Sequence, residues 1–293
     1  CRQMLWGFFK KLVIADRIFI AVGRIIGDSG TYQGGFALVG MFLYTVELYA
    51  DFTGGIDITI GVAEMLGIRL AENFTRPYFS TSLKEYWRRW HITMCSWFRD
   101  YVFYPVSTSK WMQKFTKFTK KRLGDKAGRR IPMYLASFIV WFSTGLWHGA
   151  SWNFIVWGLL NWAVLMISEE LEPLYDGFHK RLSWTNGRGY KGFMMLRTFV
   201  LVAVMNLFDC YATLGETLGC LGSIFVPSKW SGFSFSALGL SAWDWAIILL
   251  GCGLMVAVSV LGIKENVRER LAKRPYALRF AVYFALFIVV VVT

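Results

Sequence analysis

Charged residues are scarce in this 293-residue chain, making up 17% of it, where soluble domains carry about 25%. Acidic residues are the scarcer kind: 19 Asp and Glu stand against 32 Lys and Arg, leaving a formal charge of +13. Proline occurs six times and histidine three. The five cysteines, Cys1, Cys95, Cys210, Cys220 and Cys252, form no CxxC pair and no zinc-ligand spacing, which argues against a zinc ribbon or a thiol-disulfide motif. What fills the chain instead is apolar, 55% hydrophobic and 18% aromatic. That content excludes disorder and exceeds what one soluble core of this size requires.

A charge of +13 suggests nucleic acid as a partner, and the placement of the charge removes that reading. Residues 110–130 carry a net +8, residues 176–192 a net +3 and residues 264–275 a net +3, so the rest of the chain sums to −1. The basicity is expected in three loops. Between them run stretches with no Asp, Glu, Lys or Arg, at 131–149, 152–168 and 245–263; residues 193–208 hold only Arg197, and 280–293 are apolar to the last residue. A bilayer core about 30 Å thick takes roughly 20 such residues as helix. The expected fold class is an all-α polytopic membrane protein. One assumption, that 110–130 is cytoplasmic, also puts 176–192 and 264–275 on the cytoplasmic side, as the positive-inside rule asks, and turns 209–244, net −2, outward. On that outer side Cys210 and Cys220 are placed to pair; the other cysteines read as small apolar fillers. Because the chain opens at Cys1 and its last apolar run reaches the C-terminal residue, a longer membrane protein with further N-terminal helices is expected.

The first 110 residues are less regular. Residues 5–27 are apolar but interrupted by Lys10, Lys11, Asp16, Arg17 and Arg24, which suits an interfacial or internally packed helix. The run ELYADFTGGIDITIG (47–61) sets Glu47, Asp51 and Asp57 in membrane-grade sequence. Ionisable groups at such depth face protein or a watery cavity, and Gly54-Gly55 permits either close backbone approach or a helix break. A short polar turn between two spans is the plainer reading. Residues 82–104 have the periodicity of one amphipathic helix, with Trp87, His91, Met94, Phe98 and Val102 on one face. His91 and Cys95, four residues apart, are too few for a metal site, and a hydrogen-bonded core histidine fits the same pattern. His148 closes the run Gly-Leu-Trp-His-Gly-Ala (145–150) between small residues that leave room beside its ring, with no acidic residue within 20 positions. A neutral imidazole in a dry pocket can take a proton from a hydroxyl; an interfacial histidine satisfies the same sequence. His179, in a basic stretch, is expected to be solvated.

Four segments resemble the membrane-bound O-acyltransferases, and within them the bacterial alginate O-acetyltransferase branch. They are GFFKKLVIADRI (7–18), YADFTGGIDITIG (49–61), ENFTRPYFSTSLKEYWRRWHITMCSWFRDYVFYP (72–105) and GLWHGASWNFIVWG (145–158), with NLFDC (206–210) as a fainter match. Where the alginate pattern continues with a glycine-rich stretch, this chain has YPVSTSKWMQKFTKFTKKRLGDK (104–126), closer to the teichoic-acid D-alanyl-transfer branch. The resemblance implies one membrane-embedded domain over 1–293, a ring of tilted transmembrane and re-entrant helices. It puts the catalytic motifs in 1–175, a basic cytoplasmic loop at 110–130 and C-terminal transmembrane helices over 193–293. It maps the principal catalytic histidine onto His148 and its partner across a membrane tunnel onto His91. Candidates to line that tunnel are Glu47, Asp51, Asp57, Trp87, Arg89, Trp90 and Trp147, with no metal and no bound cofactor. It implies an acyl thioester donor on the cytoplasmic side (acetyl-CoA or an acyl-carrier protein) and a polysaccharide or partner-protein hydroxyl outside. It further implies an extracytoplasmic esterase-like partner, an acidic carrier protein at the cytoplasmic face and a place in the bacterial inner membrane. The rival from another class is a transporter or flippase, with the acidic residues and histidines along a substrate path; the internal repeats common in such proteins are missing.

Overall fold

A computed structural model describes residues 2–263 and 265–292. Cys1 and Lys264, counted above among the cysteines and the basic residues, lie outside the described residues. The chain is 83% helical, without a strand among the described residues. Its contacts form two compact units, residues 1–71 with 218–293 and residues 72–217.

The first unit opens with α1 (Arg2–Phe8), a π-helical turn over Phe9–Ala15 and α2 (Asp16–Gly27), followed by α3 (Gly35–Met65). Residues 5–27 are packed inside the unit, as one of the two sequence readings had it: Phe9, Val13, Ile14, Ala15, Ile18, Ala21, Val22 and Ile25 are all buried. Helix α3 passes through Gly54-Gly55 unbroken, which sets aside the alternative of a polar turn between two spans. The glycine serves close approach instead. A Cβ on Gly54 would lie 2.9 Å from the Gly7 carbonyl, and one on Gly7 would lie 2.6 Å from the Gly54 carbonyl. The acidic residues of α3 meet the lysines that interrupt residues 5–27. Lys10, 5% exposed, places its Nζ 2.7 Å from Asp57 Oδ2 and donates to Thr53 Oγ1 at 2.7 Å. Gln3 donates to the other Asp57 oxygen at 3.1 Å. Lys11 bridges Asp51 at 2.6 Å and Asp16 at 2.8 Å. A buried charge without such a partner is costly, so the two irregular stretches are irregular together.

The second unit contains α4 (Leu83–Arg89), α5 (Ile92–Phe98), a π turn over Arg99–Phe103, α6 (Tyr104–Thr108), α7 (Lys110–His148), α8 (Trp152–Arg181) and α9 (Arg188–Cys210). The basic stretches are largely helical, a correction to the expected loops. The α7 span covers 110–130 as two helical segments joined at a kink, Gly124 (φ 81°, ψ 172°), where the chain folds back and the Thr119 hydroxyl donates to the Gly128 carbonyl at 2.8 Å. Helix α8 carries on to Arg181 and α9 starts at Arg188. Lysine and arginine are good helix formers, so a change from apolar to basic marks the edge of a membrane segment without ending its helix. Ser109 caps α7, its hydroxyl accepting from the Met112 N–H at 3.3 Å.

Helix α10 (Leu214–Ser223) leads back to the first unit, which closes with α11 (Ala242–Leu261), α12 (Val267–Ala272) within the third basic stretch, and α13 (Tyr276–Val292). Helices α3, α8, α9 and α11 are long and apolar enough to cross a membrane. Two of these contain the expected spans 152–168 and 193–208, and α11 covers 245–261 of the expected 245–263; the fourth, α3, holds the apolar residues 35–50 and the acidic run 47–61. This is a multi-pass membrane protein. No disulfide joins Cys210 and Cys220, so the pairing that their outer-side placement left open is not made: the Cys210 thiol donates to the Asn206 carbonyl at 3.5 Å and Cys220 is buried in α10.

Candidate functional site

The second unit brings His91 and His148 into one aromatic cluster. His91 sits at a sharp bend, not inside the single helix that periodicity predicts over 82–104. Helix α4 begins with Ser82 accepting from the Glu85 N–H at 3.2 Å, while Glu85 Oε2 accepts from the Thr81 N–H at 2.7 Å and the Thr81 hydroxyl at 2.9 Å. Burial alone would raise the Glu85 carboxyl, but the Thr81 donors and Arg89 hold it below the usual carboxylate range. After Arg89 the backbone turns extended at Trp90 and left-handed at His91 (φ 43°, ψ 56°), and α5 resumes at Ile92. Residues 73–75 cause the break. The Thr75 N–H donates to the Arg89 carbonyl at 2.9 Å, and the Ile92 N–H donates to the Asn73 carbonyl at 3.0 Å. The side-chain Oδ1 of Asn73 then lies 3.1 Å from the Thr93 N–H nitrogen, 2.6 Å from the Thr93 hydroxyl and 3.1 Å from His91 Nδ1. Burial lowers the His91 imidazole pKa, which favours the neutral ring at pH 7.

His148 is the last residue of α7. Its ring centroid lies 4.5 Å from that of Trp157, 5.2 Å from Trp147 and 6.0 Å from Phe154. The small residues around it do not leave room beside the ring, contrary to expectation. Gly145 lets the backbone of α8 approach α7, since a Cβ there would lie 2.5 Å from the Phe154 carbonyl oxygen, and the space beside Gly149 is taken by the Phe154 ring. Trp87 closes the wall: edge-on to Trp141 at 4.9 Å and Trp157 at 5.8 Å, it donates its indole N–H to Asn161 Oδ1 at 3.0 Å. Asn161, 1% exposed, donates in turn to the Trp157 carbonyl at 2.9 Å. Successive ring contacts run from His91 through Phe74, Trp90, Tyr86, Trp87 and Trp157 to His148. The two imidazoles interact electrostatically. Such an arrangement presents two proton-accepting rings in a wall of π-faces with few competing polar groups.

The other sequence candidates divide. Trp147 stands exposed at the rim, edge-on to His148 and to Phe98. Trp90 is buried beneath the bend, against Phe74 and Tyr86. Arg89 is engaged by Glu85 at 2.5 Å and by the Arg76 carbonyl at 3.3 Å. Glu47, Asp51 and Asp57 belong to α3 of the other unit, where Asp51 and Asp57 are paired with Lys11 and Lys10. His179 is half-buried, its Nε2 3.1 Å from the Tyr190 hydroxyl, and is not the solvated group expected. Among the described residues no group of three or more His, Cys, Asp or Glu could hold a metal ion. Sequence reasoning missed Asn73, Trp157 and Asn161, all of which lie in or beside the segments that carried the resemblance.

No protein-family model matches the sequence. The chain is 29% identical over 277 residues to the probable alginate O-acetylase AlgI of Azotobacter vinelandii, covering 94% of this chain and 49% of that protein. It is 32% identical over 184 residues to the peptidoglycan O-acetyltransferase of Helicobacter pylori, covering 61% and 31% of the two. It is 33% identical over 187 residues to the teichoic acid D-alanyltransferase of Bacillus subtilis, covering 61% and 42%. The chain thus spans about half the length of the alginate relative it matches end to end, and less of the other two. These relatives are membrane-bound O-acyltransferases, and the similarity to the alginate relative runs over nearly the whole chain.

Proposed function

We propose that this chain forms the acyl-transferring part of a membrane-bound O-acyltransferase, moving an acetyl group from a cytoplasmic thioester to a hydroxyl of a cell-envelope polysaccharide or of a partner protein. The observation that carries the reading is the pair of histidines in one aromatic cluster, His148 against Trp157 and His91 held by Asn73. An acceptor hydroxyl gives its proton to His148 as its oxygen attacks the thioester carbonyl. The tetrahedral intermediate collapses with cleavage of the C–S bond, and the imidazolium returns the proton to the departing thiolate. General-base assistance of this kind contributes about 10²–10⁴-fold. His91 orients the acceptor, and the aromatic wall excludes water that would hydrolyse the thioester.

The orientation follows the charge: the basic half of α7 faces the cytoplasm, where a phosphate-bearing donor or an acidic carrier protein is attracted to it. An extracytoplasmic esterase-like partner then completes delivery to the polymer. D-alanyl transfer to teichoic acid is the second reading, supported by the 33% identity to a D-alanyltransferase and by the Phe-rich basic wording of 104–126. The test uses the full-length protein in proteoliposomes, offered radiolabelled acetyl or D-alanyl thioesters on the basic-loop side. Acetyl transfer that falls at least about 100-fold in His148→Ala is expected. A folded His148→Ala protein that transfers at the wild-type rate overturns the assignment, and preference for the D-alanyl donor selects the second reading.

A further inference from the structure

We propose that Asn73 is a positioning residue for acyl transfer, holding His91 as the Nδ1–H tautomer so that Nε2 presents its lone pair to the acceptor hydroxyl. The inference rests on the function proposed above and adds a residue to it.

The hydrogen bonds fix the protons. A backbone N–H can only donate, so the Asn73 side-chain atom 3.1 Å from the Thr93 nitrogen is the carboxamide oxygen. The Thr93 hydroxyl donates to the same oxygen at 2.6 Å. An oxygen with no proton to give lies 3.1 Å from His91 Nδ1, which must therefore carry the hydrogen. In the neutral ring the lone pair is then on Nε2. A neutral His91 of this tautomer accepts a hydrogen bond and cannot donate one to an oxyanion, so its part is to orient the nucleophile. Asn73 also holds the ring from behind, because its main-chain carbonyl receives the Ile92 N–H at 3.0 Å across the left-handed turn at His91. One residue thus fixes the backbone, the ring rotation and the tautomer.

The surroundings add little competing charge. Asn73, Phe74 and Thr93, which lie against the ring, are all uncharged. Arg89 is neutralised by Glu85 one turn back, and the Cys95 thiol, pushed up to about 11 by burial, is neutral and donates to the Trp90 carbonyl.

The substitution Asn73→Asp tests the idea, since a carboxylate keeps every acceptor contact of Oδ1 and adds one negative charge. A charge hydrogen-bonded to Nδ1 stabilises the imidazolium and raises the His91 pKa. The acid limb of kcat/KM in the full-length protein should then move to higher pH by about one unit or more, with the high-pH plateau and the thermal midpoint little changed. Nitrogen NMR of histidine-labelled wild-type protein should show His91 protonated at Nδ1. An Asn73→Asp profile that superimposes on wild type, or a spectrum with the His91 proton on Nε2, overturns the proposal. His91→Ala separates the two levels. If it loses transfer while the Asn73→Asp profile is unmoved, Asn73 is excluded and the acyltransferase site stands; if it transfers normally, the site itself is wrong.

Discussion

Gly145→Ala is the sharpest probe of how the helix crossing places His148. A Cβ at position 145 would lie 2.5 Å from the Phe154 carbonyl oxygen and 3.2 Å from Ile155 Cα, both main-chain atoms of α8 that cannot swing aside. Ordinary contact begins at 3.4 Å, so α7 and α8 must part by roughly 0.9 Å at this point. Overpacking of this kind costs about 1–3 kcal/mol, offset in part by the better helix propensity of alanine, worth up to about 1 kcal/mol. His148 lies three residues further along the same helix, one turn from the crossing. Parting the helices therefore shifts its ring against Trp157, and misplacement by about 1 Å can reduce rate by about 100-fold. Gly177→Ala in the C-terminal extension of α8 is the control, because nothing lies within 4 Å of the added methyl. The assay pairs thermal unfolding in detergent with initial rates of acyl transfer by the full-length protein. Gly177→Ala should be neutral or slightly stabilising with an unchanged rate, and Gly145→Ala should lose both stability and turnover. Equal behaviour of the two alanines would refute the idea that this crossing sets the histidine.

Two further substitutions probe the polar ties of each unit. Trp87→Phe keeps a ring between Trp141 and Trp157 but leaves the buried Asn161 Oδ1 without its donor; the expected loss is about 1–3 kcal/mol in thermal or denaturant unfolding, and a loss under about 0.5 kcal/mol would show the bond to be dispensable. Lys10→Met leaves Asp57 with only the Gln3 amide inside the first unit. Breaking a buried pair from one side costs about 3–5 kcal/mol, so Lys10→Met should unfold early. The double variant Lys10→Met with Asp57→Leu should recover most of the loss, and a double variant no better than the single would count against a paired charge.

The spans at 152–168, 193–208 and 245–263 were legible because a long apolar run has one physical solution in a bilayer. Helix boundaries were less so. A hydrophobic run stops where the lipid stops, whereas the apolar segment of α7 extends back through basic residues to the kink at Gly124 and α8 continues through them to Arg181. Motif wording singled out the two histidines that the fold sets in one aromatic cluster. The bend that carries one of them was not, because the spacing of Trp87, His91, Met94 and Phe98 reports a shared face and not an unbroken axis. What breaks the helix is a strand-like tie from Asn73 and Thr75, distant in sequence and invisible to periodicity. In α3 the sequence left two readings of Gly54-Gly55, a helix break or a close backbone approach, and the approach of Gly7 is the one the fold uses. The charges of residues 5–27 and 47–61 made sense only as a set, since each stretch supplies the counterions of the other.

The left-handed backbone at position 91 restricts which side chains can be tried there at all. Beyond glycine, that region of conformational space admits chiefly asparagine, aspartate and histidine, while β-branched and bulky residues are strained out of it. A randomised library at this codon would therefore be sorted by main-chain geometry before chemistry had any say. The survivors would be short, planar, polar groups, each with a heteroatom at nearly the same reach from the turn. Geometry written by residues 73–75 thus sets the menu of side chains that position 91 can carry.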